Sequence, residues 1–439
     1  MTDAAWKVGA DADPIPSRNV NTSSPGPLSR TMKTFMAGTH RCVSTGETLQ
    51  RIYPWLPLMG ITRVANITGL DTLGIPVVMV CRPNARSLSV AQGKGTTLDA
   101  ARVSGLMESI EFWHAERITR PLVIGSVRDL KFNRHLINVA RLPRLTVSTF
   151  DEHHRTLWIE GHCLLANRGT WVPYECVHTD YRLPLPAGSG SFPMNSNGLA
   201  SGNQPLEAIT HAICEVIERD ASALWFAGGD AARRTLRLTL DTVTDLTCRQ
   251  LLDNFARAGV LTAVWDTTSD IGVPSFVCEI VDDEAHSAGA IGPSIGMGCH
   301  PSPGIALARA LTEAAQSRLT GIASSRDDLA PTDYQLFRSG DLIAPIRAEF
   351  RDVPTIIDYQ TIHGRICDTF EEDLDYLLEA LSAVGIAEVV VVDLTDENLG
   401  LPVVRIIIPG LEAPHESPGY VPGPRARARQ QGEQHSTAP

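Results

Sequence analysis

The 439-residue chain has nine cysteines but no Cys-x-x-Cys pair. That excludes the usual zinc-ribbon and dithiol patterns and reads as buried thiols in a reducing compartment. No apolar run approaches the roughly 20 residues that cross a bilayer. The N-terminus lacks the apolar core of a signal peptide, so no membrane and a cytoplasmic location are expected. Positive charge is in short supply. Lys and Arg number 38 against 50 Asp and Glu, a net −12, which argues against a nucleic-acid surface. His40, His114, His211 and His300 fall at no metal-ligand spacing and read as structural. Cys299 has nothing beside it that marks a nucleophile. What remains, 43% hydrophobic and 20% charged residues, is ample material for an ordinary globular core.

Against these absences stands the stretch from Ala200 to Asp220. Asn203 is placed to cap a helix and Pro205 suits its first turn. Glu207, His211, Glu215 and Glu218 follow at spacings of four, four and three, which puts them on one helical stripe. Three carboxylates on one half-buried stripe repel one another, and Arg219 alone cannot balance them. Divalent cations are the simplest remedy, because hard metals take carboxylate oxygens.

The stripe recurs. Gly93-Lys94-Gly95 leads into Ala101, Ser104, Glu108 and Glu111, and Gly298-Cys299-His300 leads into Ala306, Arg309, Glu313, Gln316 and Arg318. Set on Glu108, Glu215 and Glu313, the three stretches align without a gap, each with alanine seven residues earlier and Glu or Gln three later. The intervals of 107 and 98 residues are too long for a solenoid. They predict one fold made of duplicated units whose helices converge. Gly93-Lys94-Gly95, although not a P-loop, is an anion-cradle candidate at a helix start.

A second repeat consists of strand, polar turn, Gly-x-Pro and strand. It runs from Gly60 to Cys81 through Gly74-Ile75-Pro76, from Gly259 to Val281 through Gly272-Val273-Pro274, and from Gly385 to Ile408 through Gly400-Leu401-Pro402. Trp158 to Pro173 is a weaker fourth hairpin. Amphipathic helices are predicted at about 245–258 and 370–383, ahead of the second and third hairpins. The class is therefore α+β, with antiparallel sheets and helices packed on them. Residues 1–30 read as a disordered arm, 31–410 as one catalytic domain and 411–439 as an extended Pro/Arg-rich tail. Pro184 to Asn195 is a candidate lid, and 324–368 carries no clear signal.

Ser104-x-x-x-Glu108-x-x-Glu111, Asn203 to Arg219, and Arg309 to Arg318 together resemble the ATP-binding signatures of the YcaO family, over about residues 34–410. The resemblance implies a single YcaO domain around a central ATP site. It implies ATP and Mg²⁺ used to phosphorylate a backbone amide oxygen of a ribosomally made peptide. Carried over, Glu108, Glu111, Glu215 and Glu218 would hold Mg²⁺. Ser104, Asn203, Glu207 and Arg219 would contact nucleotide or metal. Arg309 or Arg318 would meet phosphate, with Arg41 and Lys94 as further candidates. No residue is singled out as the group that performs the chemistry.

The chain lacks the proline-alternating terminus of many azoline-forming members. Its segment 418–425 is similar to members that work beside a TfuA protein, and that leans the reading toward thioamide formation. With no leader-binding domain expected before residue 34, a TfuA-like or leader-peptide-binding partner is expected beside the precursor peptide, and the assembly leaves room for a homodimer. Azoline formation is the alternative. A di-metal hydrolase would want histidines among the carboxylates, and a non-catalytic nucleotide-binding scaffold would not need intact carboxylate pairs.

Overall fold

The computed structural model describes residues 30–36, 38–283, 291–327, 332 and 340–436. The expected arm at 1–30 lies, apart from Arg30, outside the described residues. In chain order the elements are α1 (Thr45–Ile52), β1 (Arg63–Asn66), β2 (Val77–Cys81), β3 (Val90–Lys94), α2 (Leu98–Ala115), β4 (Leu122–Gly125), α3 (Val127–Leu130), β5 (Thr156–Cys163), β6 (Arg168–Pro173), β7 (Leu199–Ser201), α4 (Pro205–Ala227) and α5 (Gly229–Thr235). They continue with β8 (Leu238–Thr239), α6 (Leu246–Arg257), β9 (Val260–Asp266), β10 (Ser275–Asp282), β11 (Ser294–Cys299), α7 (Pro303–Ala323), α8 (Gly340–Asp352), β12 (Ile357–Asp358), α9 (Phe370–Ala383), β13 (Val390–Asp393), β14 (Val403–Ile407) and α10 (Pro424–Ser436).

The hairpin repeat forms three antiparallel pairs, β1–β2, β9–β10 and β13–β14. Its glycines recur for a steric reason. Gly60, Gly74, Gly259, Gly272, Gly385 and Gly400 all have φ between 59 and 78°, a left-handed conformation that a side chain resists. Each hairpin carries a further antiparallel strand: β3 on β2, β11 on β10 and β7 on β14. Each of those strands leads directly into a glutamate helix, α2, α7 or α4. The molecule is thus three copies of hairpin, extra strand and helix. In the third copy β7 and α4 precede their own hairpin in the chain, which hid the relation from a reading in sequence order. The fourth hairpin, β5–β6, forms as expected but joins the third sheet through β5–β13.

The glycine that opens two of these stretches has a packing role. A methyl group on Gly93 would lie 2.1 Å from the Ala101 carbonyl oxygen, and one on Gly298 would lie 2.1 Å from that of Ala306. Strand and helix therefore press backbone to backbone there, and only glycine leaves room. Buried clusters behind the sheets fix this arrangement. Val78, Val80, Leu106 and Ile110 pack in the first copy, and Val264, Phe276, Leu307 and Leu311 in the second.

Three local expectations change. The N-cap of α4 is Gln204, without a side-chain cap. Asn203 instead receives the Thr48 hydroxyl on Oδ1 at 3.1 Å and donates to Glu207 at 3.2 Å. The Pro184–Asn195 loop is tied down, because the buried Glu175 carboxylate accepts backbone N–H groups from Gly190, Ser191 and Phe192. The segment after 410 is not simply extended. It packs on α4 and ends in α10, held by Arg425, which bridges Asp220 at 2.9 Å and Asp270 at 2.5 Å. One arginine of the Pro/Arg-rich tail is thus an anchor.

Candidate functional site

The three glutamate helices line one cleft of about 470 Å³, within the size range of small-molecule sites. Glu108 and Glu111 come from α2, Glu207, Glu215 and Glu218 from α4, and Glu313 from α7. Sequence separations of up to 205 residues collapse here because equivalent faces of three equivalent helices meet.

Backbone amides hold several of these carboxylates in place. Glu108 accepts from Gln92 N at 3.3 Å and Glu313 from Met297 N at 3.3 Å, a repeated contact across an interval of sixteen residues. Glu111 accepts from the Ser201 amide at 2.8 Å and hydroxyl at 2.6 Å, and Glu218 from Cys299 N at 2.9 Å. The edge strands thus aim the carboxylates of their own helix and of a neighbouring one.

The charge is only partly compensated. Lys94 pairs with Glu313, Arg219 with Glu218 at 3.6 Å and Arg41 with Glu207 at 3.6 Å. Glu111 and Glu215 have no cation at ion-pair distance among the described residues. Burial pushes the Glu111 carboxyl up to about 8, helped by Glu215 and Glu108. Burial also pushes Glu215 up to about 7, with Glu218 adding to it against Arg219. Burial likewise raises Glu108 and Glu218, each with a contribution from Glu313. For Glu313 burial is outweighed by Lys94 and Arg219, and its carboxyl is lowered. Each carboxylate thus feels the others, and the group is set for a hard cation.

Glu207 differs from these. It accepts from the Cys42 amide at 3.0 Å, the Cys42 thiol at 2.8 Å and Asn203. Burial and that carboxylate push the Cys42 thiol up to about 12. Ser104 and Asn203 line the cleft, as do Arg41, Lys94, Arg219 and Arg309. Arg309 meets His211 Nδ1 at 3.4 Å, and its buried Nε has no partner. Burial, reinforced by Arg309 and Arg41, keeps His211 neutral.

Arg318 is not brought to the cleft. It is buried between Asp71 at 2.9 Å and Asp282 at 2.7 Å and ties α7 to the first and second hairpins. Of the two arginines on α7 that the sequence left as equals, Arg309 is the one facing the carboxylates. The spacing could not separate them, because the partners of Arg318 lie 247 and 36 residues away.

The sequence reading also passed over Glu313 as a site residue, although the repeat pointed to it. The lost second carboxylate of the third copy obscured it. At that position Gln316 donates to the Gln92 carbonyl at 2.5 Å and braces β3 instead. Arg326, on the cleft and close enough to lower the Glu108 carboxyl, lies in the stretch that had no signal. His40 and His300 do come together, with Asp373. However, the buried Lys33 ammonium lies 2.6 Å from that aspartate. A cation there would face an ammonium already in place.

A family model described as YcaO cyclodehydratase, binding ATP and Mg²⁺, matches residues 92–412. A Rhizobium leguminosarum bv. trifolii protein, known from its place in the region 3′ of tfuA, is 36% identical over 385 residues, 85% of this chain and 88% of its own. The chain belongs to the YcaO family and is an ATP-dependent enzyme of that family. Among solved structures, a heterocyclase in complex with substrate and cofactor superposes with a TM-score of 0.72 at 21% identity, over 92% of this chain and 56% of its own. The Methanopyrus kandleri YcaO protein bound with AMPPCP and Mg²⁺ superposes with a TM-score of 0.68 at 22% identity, over 87% of this chain and 95% of its own. The mixed antiparallel architecture is that of these proteins. Among the described residues no helix is long and apolar enough to cross a membrane.

Proposed function

We propose that this cleft binds Mg–ATP and activates a backbone amide of a ribosomally made precursor peptide, and that the product is a thioamide made with a sulfur source and a TfuA-like partner. The observation that carries the reading is the convergence of Glu108, Glu111, Glu215 and Glu218 in one cleft. Glu111 and Glu215 there have raised carboxyl pKa values and no cation at ion-pair distance among the described residues. Those four residues would hold Mg²⁺, which when bound lowers the repulsion between carboxylates and phosphates. Arg309, with an unpartnered Nε, would meet phosphate, and Arg219 and Lys94 would complete the positive wall. Ser104, Asn203 and Glu207 would position nucleotide or metal, and Arg41 would steady Glu207. Phosphoryl transfer depends on positioning and charge neutralisation more than on covalent chemistry by the protein, and the cleft supplies both. A homodimer in a cytoplasmic setting is part of this reading.

One observation favours the thioamide over an azoline: the relative from the region 3′ of tfuA supports a TfuA-like partner. Co-expression with a TfuA-like partner and a neighbouring precursor peptide, followed by mass spectrometry, tests this. Exchange of one amide oxygen for sulfur is the expected result. Loss of one water from the peptide would transfer the assignment to azoline formation. An unmodified peptide with no ATP turnover would favour the scaffold.

A further inference from the structure

Arg405, in the middle of β14, is 3% exposed. Its one hydrogen bond among the described residues is a long one, from Nη2 to Asn195 Oδ1 at 3.4 Å. Nε and Nη1 are buried without a partner. Other buried arginines of this protein are provided for. Arg82 is gripped by both oxygens of Glu116 at 2.6 Å, Arg318 has two aspartates, and Arg237 donates to the carbonyls of Glu349, Val353 and Phe350. A guanidinium cannot shed its charge, and a buried charge without a counter-ion is costly. Among the described residues Arg405 has neither carboxylate nor carbonyl at hydrogen-bond distance; Glu215, on the shared wall, feels its charge without touching it, so the fork of the guanidinium is left for a counter-ion from outside.

The side chain lines a cavity of about 70 Å³ beside the cleft. Its walls are apolar, with Phe192, Pro193, Val216 and Ile408 among them, and Asn195 and Asn197 add carboxamides. The two acidic candidates on the wall are spoken for. Glu412 accepts from the Tyr420 hydroxyl at 2.8 Å, Gly423 N at 2.7 Å and Ala426 N at 3.0 Å. Burial holds the Cys176 thiol up at about 12, so it stays neutral.

Cavity and cleft share one wall. Ser196 and Leu199 line the cleft, while Asn195 and Asn197 line the cavity. Glu215 faces the cleft, and the next residue, Val216, the cavity. Leu199 is also the cross-strand partner of Arg405, and directly opposed residues present their side chains on the same face of a sheet.

We propose that this cavity is a carboxylate subsite for the peptide being modified, in which the Arg405 guanidinium, flanked by Asn195 and Asn197, receives an acidic side chain or a free C-terminus of that peptide. A carboxylate fits the planar fork of the guanidinium, and its alkyl stem fits the apolar walls, which a phosphate would leave unused. The peptide as occupant rests on the proposed function of the cleft; the anion site itself does not. The subsite would restrict substrates to peptides with a carboxylate near the amide that reacts.

The test is thermal melting of the full-length protein, without nucleotide or Mg²⁺, at constant ionic strength. The probes are chloride, propionate, inorganic phosphate and two N-acetylated tripeptides, one with a central glutamate as its only carboxylate and the other with only its terminal carboxylate. Wild type should show a saturable rise in melting temperature with propionate and with one tripeptide, which identifies the source. Arg405→Met should melt at least as high as wild type in chloride and show no rise. If Arg405→Met fails to fold, Arg405→Lys should need at least about tenfold more propionate, because it loses the fork. No rise in wild type, a rise that survives in the variant, or a rise with phosphate alone would overturn the subsite. Calorimetry with Mg–ATP separates the two readings. Absent Mg–ATP binding with a normal propionate response would overturn the peptide as occupant and keep the anion site.

Discussion

Replacing Glu215 by glutamine separates a metal-holding carboxylate from a structural one. The arginine nearest in sequence, Arg219, pairs with Glu218 rather than with Glu215, so the change breaks no ion pair among the described residues. Burial raises the Glu215 carboxyl from its ordinary 4.5 to about 7. The folded protein therefore keeps a proton that the unfolded chain gives up, and stability falls as pH rises from about 4.5 to about 7. Above that range the ionised carboxylate costs the apo protein about 3 kcal/mol. Because Glu111 and Glu218 titrate with it, the amount belongs to the cluster rather than to one group. Glutamine removes most of the cost. At pH 8 the apo variant should melt a few degrees above wild type, and the gap should close toward pH 5. With Mg–ATP the order should reverse. Wild type gains about 2.7 kcal/mol at a hundredfold excess over Kd, and the variant gains little and modifies no peptide. Differential scanning calorimetry at pH 5 and 8, with and without Mg–ATP, reads all four states. An apo variant that melts clearly lower while still modifying peptide would refute the assignment.

Nucleotide binding should need the metal, because an uncompensated carboxylate cluster repels phosphates. Equal ATP affinity with and without EDTA by calorimetry would contradict this. Gly93→Ala should cost well over 4 kcal/mol, because the new methyl would sit 2.0 Å from the Gly105 nitrogen; a denaturation midpoint near that of wild type would show that β3 and α2 can separate freely. Arg318→Gln should lose about 3–5 kcal/mol, since it leaves Asp71 and Asp282 buried without their cation. The fraction that still folds should bind Mg–ATP as wild type does. A selective loss of nucleotide affinity would return Arg318 to the site.

The hairpins and helices were legible because their signals are local. Left-handed glycines, Gly-x-Pro turns and the three-four spacing of glutamates act within a few residues. The candidate site was legible for another reason. Duplication placed the same pattern in separate parts of the chain, so that shared spacing stood in for contact. What failed to show were choices made by partners distant in sequence. Arg309 and Arg318 have the same charge on the same helix. One faces carboxylates of the cleft, and the other is captured by Asp71 and Asp282.

By itself the sequence determined the residue types of the site, the repeat that carries them and the antiparallel hairpins, because each is fixed by spacing along one element. Only the tertiary structure decided which charges are left over. It satisfied Glu207 with Cys42 and Asn203, gave Glu313 to Lys94 and Arg425 to Asp220, and left Glu111, Glu215 and Arg405 without an ion-pair partner among the described residues. Burial raises the cost of an unpaired charge, and neither burial nor pairing across hundreds of residues can be read from neighbours in the chain.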